Sequence, residues 1–152
     1  MKKAVFAGSF DPITIGHEDV VRRALPLFDR IVVAVGCNSS KRCMYDVEQR
    51  MEWIRATFED CPQVDVLSYE GLTTDFCRQI GAGYLLRGVR NMMDMAYEQQ
   101  IADLNLRLAP DIETVFLLTR KEYSDVSSSA VRELLRYGKP VGLMLPSKIS
   151  IK

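Results

Sequence analysis

Short, nearly continuous apolar runs alternate along this chain with longer stretches in which apolar side chains recur at helical spacing. The runs Lys3 to Ala7, Arg30 to Gly36, Val64 to Tyr69, Tyr84 to Arg87 and Thr114 to Leu118 predict strands. Several are apolar at successive positions, the pattern of a parallel strand covered on both faces. Helices are predicted near His17 to Phe28, Val47 to Phe58, Thr74 to Ile80 and Asp94 to Leu108, and Asp46 with Gln49 supplies a capping box for the second. A fifth helix should begin near Ser127 and stop before Gly138, whose missing Cβ suits a C′ position, with Pro140 barring continuation. Alternation of β and α implies right-handed crossovers and a doubly wound parallel sheet. No repeat, linker or low-complexity stretch interrupts it, so residues 1–152 read as one domain. In such sheets ligands bind beyond the carboxyl ends of the strands, where strand order reverses.

Composition narrows the partners. A chain of 152 residues, 47% hydrophobic, is long enough to bury a sizeable core. Its 20 basic and 20 acidic side chains cancel, so no overall basic field gathers nucleic acid and any cationic chemistry must be local. No apolar run reaches membrane-spanning length, and the N-terminus lacks a signal-like apolar core, which together read as a cytoplasmic protein without a membrane partner. Cys37, Cys43, Cys61 and Cys77 form neither a CxxC pair nor zinc-finger spacing and read as reduced thiols.

Four unusual loops follow the carboxyl ends of predicted strands. The first runs from Gly8 through Ser9, Phe10, Asp11 and Pro12 to Gly16 and the single histidine, His17. With Thr14 as N-cap, Gly16 and His17 fall in a first helical turn, whose free N–H groups and dipole attract phosphate. A neutral imidazole adds one more donor, while Ser9 offers a hydroxyl and a backbone N–H. His17 also shares a helical stripe with Val20, Val21 and Ala24, so packing is the alternative; the strand, glycine-flanked loop and helix entry favour phosphate. Asp11 is equally a turn former. The second loop, Cys37 to Tyr45, carries Lys41 and Arg42, where Lys41 is either a mobile point charge for phosphate or a solvated surface cation. In the third, Arg87-Gly88-Val89-Arg90, an arginine directly after a buried strand needs an acidic partner or a ligand; Glu98 stands in the next helix. The fourth, Thr119 to Ala130, brings Ser127, Ser128 and Ser129 to a helix start, as caps or as an anion site. Taken together, two helix N-termini, a histidine, a lysine and two arginines line one sheet edge and imply a polyphosphate site.

These loops resemble the bacterial phosphopantetheine adenylyltransferase family. Gly8 to Thr14 with Gly16-His17 looks like the first nucleotidyltransferase signature in its T-x-G-H form, Arg87 to Arg90 with Tyr97-Glu98 like the second block, and Ser127 to Ser129 like the third. The resemblance implies a Rossmann-like five-stranded sheet of order 3-2-1-4-5 and a reaction joining ATP to 4′-phosphopantetheine, giving dephospho-coenzyme A and pyrophosphate, with Mg²⁺. Carried over by position, Ser9, Lys41, Thr73 and Arg87 contact phosphopantetheine. Ser9, Phe10, His17, Gly88, Val89, Arg90, Glu98 and the stretch Tyr123, Ser124, Asp125, Val126, Ser127, Ser128 and Ser129 contact ATP. His17, Lys41 and Arg90 act in catalysis, and no protein metal ligand is implied. A homohexamer and inhibition by coenzyme A are further expectations. Ser9 stands where threonine is common, Cys43 where proline is frequent, and the segment after Pro146 is short for the family. The alternatives are another adenylyl- or cytidylyltransferase, which would usually show H-x-G-H where this chain has Thr14 first, or a nucleotide-sensing module without turnover.

Overall fold

In the computed structural model, which describes residues 1–37 and 42–152, five parallel strands form one sheet of order β3-β2-β1-β4-β5. They are β1 (Lys3–Gly8), β2 (Arg30–Gly36), β3 (Val64–Tyr69), β4 (Tyr84–Val89) and β5 (Glu113–Leu118). The helices α1 (Ile15–Ala24), α2 (Val47–Thr57), α3 (Thr73–Ile80), α4 (Met92–Leu108) and α5 (Ser128–Arg136) alternate with them. Successive side chains of a strand point to opposite faces. Thus Ala4 and Phe6 of β1 join Val20, Val21 and Ala24 of α1 and Met51 and Ile54 of α2 in one apolar cluster. Val5 and Ala7 join Phe76 and Cys77 of α3 and Ala109 and Ile112 beyond α4 in the other. The sheet is therefore covered on both faces, as its continuous apolar strands require. None of the described helices is long and apolar enough to cross a membrane.

Strand order reverses between β1 and β4, which pair only at Ala4↔Tyr84 and Val5↔Leu85. By contrast β1 follows β2 from Lys3↔Arg30 to Gly8↔Val35. The two central strands therefore part over their carboxyl halves, and the loops that follow them face the gap.

Local chemistry sets the helix ends. Thr14 caps α1 by accepting from the His17 N–H, and Asp46 caps α2 by accepting from the Gln49 N–H at 2.8 Å. Gly138, at φ 67°, donates to the Leu135 carbonyl while Lys139 donates to that of Leu134, a complete Schellman stop for α5. Among the boundaries that differ from the sequence reading, three have a clear local cause. The first helix ends at Ala24 rather than Phe28, giving way to a 3₁₀ turn, Leu25–Leu27, at Pro26, which has no N–H to continue the ladder. α4 starts at Met92 instead of Asp94 because the Asn91 side chain accepts from the Asp94 N–H. β4 runs past Arg87 through Val89, paired with β5 as far as Val89↔Leu118.

Leu86 of β4 is fully buried in the first apolar cluster. Leu86→Ala should cost about 2–5 kcal/mol of unfolding free energy through lost transfer energy and a residual cavity. Urea unfolding measures this, and a loss under about 1 kcal/mol would contradict the packing described.

Candidate active site

Where β1 and β4 part, a cleft of about 380 Å³ opens between the loop after β1, the start of α1, the end of β4, α4 and the start of α5. Ser9, Phe10, His17, Arg87, Gly88, Arg90, Glu98 and the run Val126 to Ser129 all line it. Three of the four loops singled out in the sequence thus meet in one crevice.

His17 is held by its own helix cap. The Thr14 N–H donates to His17 Nδ1 at 3.0 Å while the Thr14 hydroxyl accepts from the His17 N–H at 3.3 Å, with histidine taking the place usually held by glutamate in a capping box. A backbone donor on Nδ1 demands a lone pair there, so the ring proton sits on Nε2. The ring packs edge-on against Phe10 and Phe6, with centroids 5.0 and 6.1 Å away. Burial, then the positive charges of Arg87 and Arg90, lower its pKa from 6.5 to about 4. The imidazole is therefore neutral at physiological pH, with Nε2–H as a fixed donor.

Arg87 meets both an acidic partner and the cleft. Its Nε and Nη2 donate to the two carboxylate oxygens of Glu98 at 2.8 and 2.7 Å, and Nη1 donates to the Ala7 carbonyl on β1. The guanidinium thus bridges the gap left by the short β1–β4 ladder. Burial opposes its charge, but the hydrogen bonds and charge of Glu98 outweigh that and hold its pKa above the ordinary value. Arg90 donates through its backbone N–H and Nε to Asp94, whose pKa lies below the ordinary carboxylate value because those contacts outweigh its burial.

At the fourth loop the serines divide their work. Ser127 caps α5 by accepting from the Ala130 N–H, and the Ser128 hydroxyl donates to the Pro12 carbonyl at 2.7 Å. Arg132, one turn on, donates to the Asp11 carbonyl and the Ser129 hydroxyl. Capping and an anion-binding terminus are therefore compatible, since a helix start still presents its first N–H groups outward.

The other expected positions fall as follows. Phe10 and Val89 are buried, their side chains serving the core, although Phe10 adopts φ 46°, a left-handed conformation unusual for a bulky residue. A Cβ at Gly88 would lie 3.0 Å from the Val20 side chain of α1, a tight contact that Val20 would have to relieve by a few tenths of an ångström. Tyr123, Ser124 and Asp125 lie outside the cleft lining, with Tyr123 in a 3₁₀ turn beside Gly16. Thr73 lines an adjoining cavity of about 200 Å³, which shares Ala7, Gly8, Arg87 and Glu98 with the cleft, and its hydroxyl pairs with that of Tyr69 at 2.8 Å. Lys41 lies outside the described residues. Asp94 and Arg132 line the cleft without having been anticipated, as do Tyr97 and Thr119, which the sequence marked only as part of the second block and the fourth loop. Asp94 and Arg132 stand on helix faces whose sequence looks like ordinary solvated charge.

Among the described residues no cluster of three histidine, cysteine or carboxylate side chains could hold a metal ion. The two carboxylates in the cleft, Asp94 and Glu98, are already engaged by arginines. This donor set does not fit a resident Mg²⁺, and no chemical step below runs through one.

The tautomer argument has a direct check, because the chain has one histidine. A folded pKa below the unfolded value of 6.5 means that His17 favours folding fully above that pH, and progressively less as pH falls toward 4. Imidazole C–H resonances of the free protein should stay constant from about pH 8 to 5.5 and move only near pH 4. A midpoint near 6.5 would contradict the buried, arginine-flanked geometry.

Residues 5–134 match the cytidylyltransferase-like family. The phosphopantetheine adenylyltransferase of Flavobacterium psychrophilum is 47% identical over 152 residues, covering all of both chains, so the segment after Pro146 has its counterpart there. That of Bacteroides thetaiotaomicron is 45% identical over 99% of each chain. Among solved structures, the bifunctional NMN adenylyltransferase/ADP ribose pyrophosphatase of Francisella tularensis superposes with a TM-score of 0.75 at 15% identity. The match covers 97% of this chain but only 46% of that protein, and shows a shared fold. The chain therefore belongs to the cytidylyltransferase-like nucleotidyltransferases and, within them, to the phosphopantetheine adenylyltransferase family.

Proposed function

We propose that this protein transfers the adenylyl group of ATP to 4′-phosphopantetheine, releasing pyrophosphate and dephospho-coenzyme A in the penultimate step of coenzyme A biosynthesis. The observation that carries this reading is the meeting of a neutral, hydrogen-bond-donating His17, Arg90 and the α1 and α5 N-termini around one cleft, with a second cavity sharing its Arg87–Glu98 wall. A nucleoside triphosphate in the first and a phosphorylated acceptor in the second would meet at that wall.

The acceptor phosphate is already a nucleophile, so the protein's work is alignment and charge stabilisation. One of its oxygens attacks the α-phosphorus as the bond to the α–β bridging oxygen breaks and pyrophosphate leaves. His17 Nε2–H donates to an α-phosphate oxygen, where charge builds. Arg90 and the N–H groups opening α5 hold the β- and γ-phosphates. Arg87, through donor capacity beyond its Glu98 and Ala7 contacts, and Thr73 orient the acceptor. Lys41 follows the nucleophile and bridging oxygens. ATP enters as its Mg²⁺ complex, the ion arriving on the triphosphate as part of the substrate.

Coenzyme A carries the adenosine of one substrate and the pantetheine arm of the other, so it would span both cavities and inhibit by competition. The exposed apolar side chains Met92, Met93, Tyr97, Leu104 and Leu108 on α4 support an assembled form, which we take to be a homohexamer working in the cytoplasm.

Pyrophosphate release from ATP, measured with phosphopantetheine, nicotinate mononucleotide and glycerol 3-phosphate, should occur with phosphopantetheine alone. Release with either of the others instead would favour a sister nucleotidyltransferase, and release with none would favour a nucleotide sensor. His17→Ala should lower kcat about 10²- to 10³-fold with a smaller change in ATP affinity. Full turnover in that variant would remove His17 from the chemistry.

A further inference from the structure

Arg50 is a buried cation outside every part of the mechanism given so far. It lies on the buried stripe of α2 with Met51 and Ile54 and is 5% exposed. Its described partners are carbonyl oxygens: Nη1 donates to Ser9 at 2.7 Å, and Nε donates to Tyr45 at 3.0 Å and to Asp46 at 3.4 Å. Opposite it, the buried Asp11 carboxylate accepts from the Met44 N–H at 2.7 Å and the Tyr45 N–H at 3.0 Å. Tyr45 is therefore held from both sides, its N–H by Asp11 and its carbonyl by Arg50, and the loop after β1 is locked to the entry of α2. Arg132 and Ser128 lock the same loop to α5 through the carbonyls of Asp11 and Pro12.

The consequence falls on the Ser9–Phe10 peptide. It is trans, the cis peptide bond of the described residues being Asp11–Pro12, so its C=O and N–H point in opposite directions. Arg50 holds the Ser9 carbonyl toward α2 from outside the cleft lining, which turns the Phe10 N–H the other way, while Ser9 and Phe10 both line the cleft. The left-handed φ of Phe10, 46°, fits such an imposed orientation, because a bulky residue keeps that conformation only where surrounding contacts over-determine it. We propose that Arg50, braced by Asp11, is a positioning residue for adenylyl transfer: by clasping the Ser9 carbonyl it aims the Phe10 N–H at the nucleotide phosphates. The proposal rests on the adenylyl-transfer reading above. A guanidinium is suited to the task because its rigid fork bridges two carbonyls at once, whereas a lysine ammonium at the same place presents a single point.

The test uses the full chain and R50K, which keeps the buried charge. With selectively ¹⁵N-phenylalanine-labelled protein and ATP without acceptor, the Phe10 amide proton should shift downfield in the wild type and lose most of that shift in R50K. Turnover should fall about 10- to 100-fold in R50K, less than the 10²- to 10³-fold expected for losing a phosphate donor outright. The KM for ATP should rise by less than kcat falls, since the hydrogen bond made in the ATP complex strengthens as charge builds on the phosphates. A Phe10 amide that responds to ATP equally in both proteins, or a kcat for folded R50K within about twofold of wild type, would overturn the assignment. Should R50K fail to fold, Asp11→Asn loosens the opposite half of the brace and is read in the same way. Wild-type protein that releases no pyrophosphate with phosphopantetheine would refute the adenylyl-transfer reading instead, and the amide shift on ATP still decides the part of Arg50.

Discussion

The early parting of β1 and β4 is the constraint from which the site follows. Their crossovers leave to opposite faces, α1 and α2 on one and α3 and α4 on the other, which leaves a crevice at the carboxyl ends of the central pair. Only Ala4↔Tyr84 and Val5↔Leu85 are laddered between them, and past that point Arg87 reaches across to the Ala7 carbonyl in place of a backbone donor. Glu98 on α4 then holds the guanidinium by both oxygens. A buried ion pair of this kind adds little net stability, yet removal of either partner leaves an uncompensated charge. Its effect is geometric: it fixes the wall between two cavities and keeps a cation at their junction.

A chain with no net charge gathers its cationic chemistry locally, with Arg87, Arg90 and Arg132 around one cleft. Two helix starts contribute backbone N–H groups, and the charges of Arg87 and Arg90 are formally balanced by Glu98 and Asp94. Burial, and then the charges of Arg87 and Arg90, keep a second proton off the histidine, and the Thr14 N–H on Nδ1 decides where its single proton goes. His17 is thus a neutral hydrogen-bond donor, suited to charge that develops on a phosphate oxygen without a proton having to move. In the proposed reaction the protein groups in the cleft position and polarise, and the phosphates supply nucleophile and leaving group.

Features set by near neighbours were legible in the sequence. Thr14, Asp46, Ser127 and Gly138 end helices through contacts three or four residues away, and the apolar strand runs disclosed a sheet covered on both faces. The alternation of elements pointed to the doubly wound sheet and its edge loops, while the strand order and the substrates came with the T-x-G-H, Arg-Gly-Val-Arg and triple-serine resemblance. Contacts between distant positions were not legible. Arg50 reaches Ser9 across 41 residues and Arg132 reaches Asp11 across 121, and neither stands out from ordinary helix-face charge. Gly88 lines the cleft, and its close approach to Val20 is a further packing fact that only the crossing of α1 over β4 creates. Asp11 looked like half a turn; its two backbone donors come from a segment more than thirty residues away.

The account's central claim is that triphosphate lies between the α1 and α5 starts with His17 as a donor to its α-phosphate. A crystal structure with a non-hydrolysable α,β-methylene analogue of ATP tests it most directly. The account predicts an α-phosphate oxygen about 2.7–3.2 Å from His17 Nε2, with Arg90 and the Ser127 to Ser129 turn on the β- and γ-phosphates. Phosphates seated elsewhere on the sheet edge, with the imidazole facing only Phe6 and Phe10, would contradict it.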